Sequence, residues 1–135
     1  DCFANSFCIS ADVTAAYDPN FSEVYERRNA AYVNYGVGLC KYTGSGGKGG
    51  ASDASAEAMG HVRSTLDKAG VIWQIATLGK VDQGGGGTVA AYMANRNIFT
   101  VDAGVPVLSM HAPLELVSKL DCYETMLACK AIYLA

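Results

Sequence analysis

The apolar positions of this chain follow two rhythms. Short runs rich in Val, Ile and Leu occupy residues 7–13, 37–42, 71–76 and 105–108, with a further one around Val101. Such runs, bounded by Gly, Pro, Asn or Ser, predict buried strands. Between them the spacing changes: Met59, Val62, Leu66 and Ala69 recur three and four residues apart, the signature of one helical face. Ser52-Asp53 can cap that helix and Gly70 can stop it, while Gly60 inside it costs about 1 kcal/mol relative to Ala. A last helix is expected over about residues 113–134. Pro113 would sit at its first turn, Glu115 would be favoured there by the helix dipole, and Leu116, Leu120, Tyr123, Leu127 and Ala131 would form its apolar face. Strands alternating with helices predict an α/β fold, a mixed sheet flanked by helices, in one domain spanning residues 1–135.

The stretch from Thr100 to Pro113 organises this pattern. It reads as a strand, a break at Gly104 and Pro106, a second strand and a stop, which places His111 at a strand's carboxyl end just before a helix. Sites in α/β sheets gather at such ends. Asp12 occupies a similar place after the run that starts at Phe7. A carboxylate there either holds a metal ion, which offsets its desolvation, or lies in the loop and caps local amides. The four glycines at 84–87 precede a short helix over residues 88–94; their backbone can approach a ligand closely or simply form a tight turn. A second glycine-rich stretch, residues 43–50, fails as a phosphate loop because Gly49 follows Lys48 where a Ser or Thr is needed to hold magnesium, so a surface loop is expected. His61 reads as a solvated helix residue. The aromatic segment 21–35 (Phe21, Tyr25, Tyr32, Tyr35) reads as a short helix or irregular connection that serves packing or a subunit contact.

Composition narrows the function classes. Of 135 residues, half are hydrophobic and 17% charged, with a net charge of −3; this excludes a disordered chain and argues against nucleic acid as a partner. No apolar run approaches the ~18 residues of a membrane span, so no membrane role is expected. Five cysteines, an odd number without a CxxC pair, read as buried reduced thiols of a cytosolic protein. The opening Asp1-Cys2-Phe3 has neither an initiator Met nor a basic leader, so the sequence is expected to be part of a longer chain.

Four segments, in order and spanning nearly the whole chain, resemble the family of aminopeptidase I and aspartyl aminopeptidase: Ser10 to Phe21, Lys41 to Gly44, Asp82 to Ala90 and Asp102 to Pro113. Asp12-Val13-Thr14-Ala15-Ala16 is closer to the aminopeptidase I branch. The resemblance implies the C-terminal lobe of a zinc-exopeptidase-like (phosphorylase/hydrolase-like) catalytic domain. It implies a cytoplasmic metallo-aminopeptidase that removes N-terminal residues from peptide substrates through water activated by two divalent metal ions. Zinc would be the metal, with cobalt or manganese as alternatives. By motif position Asp12 is similar to the Asp ligand of one metal and His111 to the His ligand of the other; Lys41, Gly85 and Gly86 would lie near substrate. Family members assemble as homo-oligomers, typically dodecamers. The first His ligand, the bridging Asp and the Glu pair that includes the general base lie upstream in the family, and this chain has no His before His61 and no Glu-Glu. It is therefore expected to be inert without that upstream lobe; the alternative is a non-catalytic remnant that serves assembly or regulation.

Overall fold

The computed structural model describes residues 1–44 and 50–135. Residues 45–49, the centre of the glycine-rich stretch read as a surface loop, lie outside the described residues. The strands are β1 (Phe7–Ser10), β2 (Thr14–Ala15), β3 (Val37–Cys40), β4 (Trp73–Ala76), β5 (Phe99–Gly104), β6 (Pro106–Leu108) and β7 (Leu116–Val117). The α-helices are α1 (Ala56–Ala69), α2 (Ala90–Ala94) and α3 (Lys119–Tyr133). β1, β5, β3 and β4 form one mixed sheet in that order, in which only the β5–β3 pairing is antiparallel. β2, β6 and β7 form a second, smaller sheet. The expected α/β architecture with a mixed sheet and flanking helices is what the chain adopts.

The period of two along each strand sorts the faces of the main sheet. Val37 and Leu39 of β3, with Val101 and Ala103 of β5, join Ala58, Met59, Val62 and Leu66 of α1 and Ala128 of α3 in one buried core. Burying branched apolar side chains at about 25 cal/mol per Å² is the main force holding these helices on the sheet. The opposite face carries Ser10, Cys40 and Asp102, neighbours across β1, β5 and β3. That polar row lies under the candidate site.

Several boundaries differ from the sequence pattern. β1 ends at Ser10, and residues 11–13 leave the strand before β2 resumes beside β6. α1 is capped by Ser55, whose hydroxyl accepts from the Ala58 N–H at 3.1 Å, instead of by Ser52-Asp53; Gly70, at φ 69°, closes it as expected. Ala69 is exposed although the spacing put it on the buried face. The last helix starts at Lys119, capped by Ser118, so Pro113 and Glu115 precede it and Leu116 belongs to β7. Leu120 and Tyr123 are exposed, Leu127 and Ala131 pack half-buried against the core as expected, and the fully buried residues are Asp121, Glu124 and Ala128. The two carboxylates are buried because backbone donors require them. Asp121 accepts from the N–H groups of Asn34 and Gly36, both at 2.8 Å, and Glu124 from that of Ile72 at 2.9 Å; an unpaired buried N–H costs more than the carboxylate's burial does when the bond is made. Residues 19–24 form a 3-10 turn, and Tyr17, Tyr25, Tyr32 and Tyr35 pack ring against ring. Of the cysteines, Cys40 is buried, Cys8 and Cys129 are partly buried, and Cys2 and Cys122 are exposed, against the expectation that all five lie inside; all are free thiols. No described helix is long and apolar enough to cross a membrane.

Candidate active site

The paired breaks in two parallel chain segments build the site. β1 runs beside β5 and β2 beside β6, and both connections step sideways at the same level: residues 11–13 on one side, Val105 on the other. The Thr14 N–H donates to the Val105 carbonyl at 2.9 Å across this step. The main chain of Asp12 passes so close to β5 that a Cβ on Gly104 would lie 1.3 Å from the Asp12 carbonyl oxygen. Gly104 is therefore the residue that lets Asp12 approach, beyond the punctuation read from the sequence. The Asp12 carboxylate is exposed; its Oδ1 accepts the Val13 N–H at 2.7 Å. Both open readings of this residue survive, since an oxygen that caps a local amide leaves the other oxygen available to a cation.

His111 stands beyond the end of β6, in a reverse turn and not directly before a helix. Ser109 and His111 adopt left-handed backbone, φ 59° and 67°, a conformation uncommon outside glycine and held only where surroundings impose it. The Ala112 N–H donates to the Ser109 carbonyl at 3.0 Å, and the Glu115 carboxylate accepts the His111 N–H. β7 then returns antiparallel to β6. The turn leaves the imidazole exposed at the cleft, and its ring nitrogens have no hydrogen-bond partner among the described residues.

A third element approaches from β4. The chain folds back at Lys80, whose carbonyl accepts the N–H groups of Gln83 and Gly84 at 3.1 and 2.7 Å, and the Gly86 carbonyl accepts from Gly44 at 2.7 Å. A side chain on Gly85, at φ 111°, would lie 2.4 Å from the Gly44 carbonyl. The tight-turn reading thus describes the backbone, and α2 follows without a side-chain cap. Asp12, His111 and the glycines at 84–87 converge on one open cleft of about 410 Å³. Val13, Val24, Leu78 and Met110 supply apolar wall, and Tyr25 borders it; burial, then the charge of Asp18, raises the Tyr25 phenol above its ordinary pKa. Lys41 is not among the residues lining this cleft. It is exposed and ion-paired with Asp53.

Asp102 is the functional-region residue that reading the strands passed over. It is 5% exposed, and accepts from the Thr88 hydroxyl at 2.8 Å and the Ser52 hydroxyl at 3.4 Å. A lone Asp within the apolar run of β5 was the available signal, since a buried carboxylate needs a reason to be there. Beside it, burial pushes the Cys40 thiol up to about 11, against a lowering bond to Thr14 and with the charge of Asp102 adding to the rise. That thiol is inert at neutral pH.

Carboxylate oxygen and imidazole nitrogen are donors that zinc takes. Asp12 and His111 fit a metal by type, by exposure and by facing one cleft, but among the described residues no group of three or more His, Cys, Asp or Glu could hold an ion. By themselves the two described side chains do not make a closed ligand set.

A family model described as aminopeptidase I zinc metalloprotease (M18) matches residues 1–133. The Borreliella burgdorferi protein named "Probable M18 family aminopeptidase 1" is 53% identical over 129 residues, 96% of this chain and 28% of that protein. The crystal structure of an M18 aminopeptidase from Thermotoga maritima superposes with a TM-score of 0.93 at 48% identity, covering 96% of this chain and 29% of that one. For aminopeptidase I from Clostridium acetobutylicum the TM-score is 0.90 at 50% identity, covering 95% and 28%. The chain thus spans little more than a quarter of the length of the relatives it matches.

Proposed function

The chain belongs to the aminopeptidase I zinc metalloprotease family, and from that membership we propose that it supplies part of the active site of a metallo-aminopeptidase acting on peptide N-termini. Asp12 is the carboxylate ligand of one of two divalent metal ions, zinc first among the candidates, and His111 the imidazole ligand of the other. The observation that supports this is convergence. Two metal-ligating side chains 99 positions apart (111 minus 12), each on a backbone step the sheet holds in place, line the same cleft.

When bound, such metals supply an acidified water as nucleophile and a Lewis acid for the scissile carbonyl. The chain's own residues do the holding. Gly104 lets Asp12 in, and Glu115 fixes the turn that aims His111, in the way that outer-sphere hydrogen bonds orient metal ligands. Gly86, where an added Cβ would meet nothing within 4 Å, leaves room for a peptide backbone, and Gly85 lets this turn pack against the Gly44 carbonyl beside it. Lys41 is assigned to substrate by resemblance alone, its ammonium being engaged by Asp53. The general base, the bridging carboxylate and the remaining ligands come from a preceding part of the enzyme, so residues 1–135 form a C-terminal portion of the catalytic domain that is inert by itself. The enzyme works in the cytoplasm as a homo-oligomer. Apolar side chains exposed on β7 and α3, among them Leu116, Val117, Leu120, Tyr123 and Met126, support burial of this face in the assembled enzyme.

The test is hydrolysis of aminoacyl amides by the full-length enzyme. Chelation should abolish turnover and zinc or cobalt restore it, and His111→Ala or Asp12→Ala should each lower kcat/KM by at least about a hundredfold. Turnover that survives chelation, or a variant with normal turnover, refutes the assignment. A non-catalytic assembly module would show no metal-dependent hydrolysis at all.

A further inference from the structure

Beneath the open cleft, and sharing Asp12, Val13, Leu78 and Thr88 with it, lies a small chamber with about 10 Å³ of space for the centre of a water-sized group. Its lining includes Ser10, Thr43, Asp102, Thr88 and Asp12 itself. Ser10 and Thr43 are 4% and 2% exposed, and the hydroxyl of each is buried with no hydrogen-bond partner among the described residues. Two orphaned hydroxyls around one chamber are a strong demand, since each buried polar group without a partner costs about 1–3 kcal/mol. The third polar wall is the Asp102 carboxylate, which receives one short hydroxyl bond from Thr88 and one long one from Ser52. Its lone pairs are not exhausted by two donors.

We propose that this chamber binds one buried water molecule, held by Ser10 Oγ, Thr43 Oγ1 and the Asp102 carboxylate, and that this water fixes the segment carrying Asp12. The chamber volume corresponds to roughly one water, and such sites typically offer about three polar partners. Water also balances the donors and acceptors. Both hydroxyls donate to its two lone pairs, and one of its own protons goes to the carboxylate, so each orphaned hydroxyl proton is placed. Ser10 is the last residue of β1, two positions before Asp12, and Thr43 follows β3 by three. The water therefore ties the strand that delivers Asp12 to the strand centre that carries Asp102. Asp102 is a positioning residue, acting on the metal site through Asp12 and touching no reacting atom. This positioning role rests on Asp12 being a ligand; the water itself does not.

The experiment is a high-resolution crystal structure of the full-length enzyme, with its Thr43→Val and Ser10→Ala variants, paired with metal affinity measured by chelator competition. Val preserves the shape of Thr43 and removes its hydrogen bond. Expected is one peak in the chamber at about 2.7–3.1 Å from the three groups, lost or displaced in Thr43→Val, with metal binding weakened on the order of tenfold. If Thr43→Val does not fold, Ser10→Ala is expected to show the same pair of changes. An empty chamber, a peak with the shorter contacts of a metal cation, or unchanged metal affinity once the water is gone overturns the proposal. Failure of the wild-type enzyme to bind any metal instead refutes the metallopeptidase reading, and the density still decides the water.

Discussion

At the scale of single residues, the geometry of the cleft depends on glycine and left-handed backbone as much as on Asp12 and His111. The sequence singled out Asp12 and His111 by their places after strands, and the family resemblance made them the candidate ligands. What the sequence could not show is how they are placed: Gly104 by the missing Cβ that lets Asp12 pass, His111 by a left-handed turn that Glu115 anchors. These are tertiary contacts between segments far apart or reversed on themselves, and hydrophobic periodicity carries no trace of them. Gly104→Ala is expected to push the Asp12 main chain away, costing about 1–3 kcal/mol of stability and lowering metal occupancy with it. Thermal unfolding and metal analysis of that variant read both; a fully stable, fully metallated Gly104→Ala enzyme would mean that Asp12 does not need its close approach to β5.

At the scale of elements, the periodic signal recovered what periodicity governs. The β3 and β5 strands and the buried stripe Met59, Val62 and Leu66 of α1 lie where the pattern put them, because their burial is set by the apolar face alone. The pattern misjudged α3, where backbone donors at Asn34, Gly36 and Ile72 take Asp121 and Glu124 into the interior and turn Leu120 and Tyr123 outward. Leu127 and Ala131 of the expected face do pack against the core, but Asp121 and Glu124 are buried deeper, and the two-residue strand β7 stands where the first helical turn was expected at Leu116. The same bookkeeping makes a positive prediction for α1. Gly60 is exposed in mid-helix, and an added Cβ would meet nothing within 4 Å. Gly60→Ala is expected to stabilise the protein by about 0.5–1 kcal/mol, the helical penalty of glycine, seen as a raised denaturation midpoint with unchanged slope. A lowered midpoint would show that this face of α1 is occupied in the whole enzyme.

At the scale of the molecule, the chain presents a formed scaffold around the two proposed ligands. The fold superposes on family structures over nearly its whole length, while the chain spans about 28% of its relatives' length. The exposed apolar side chains on α3 and β7, and the placing of Asp12 and His111 on one cleft, support the proposal that the rest of the polypeptide completes a metal site here. The decisive quantity is the metal content of the enzyme purified intact from its source, with the two ligand variants prepared alongside. Two zinc-class ions per polypeptide are expected, at an intact mass well above the 14.1 kDa of these residues, falling to one or fewer when either Asp12 or His111 becomes Ala. A 14.1 kDa polypeptide carrying no metal, or a stoichiometry that neither substitution changes, would contradict the assignment of this cleft as half of a dinuclear site.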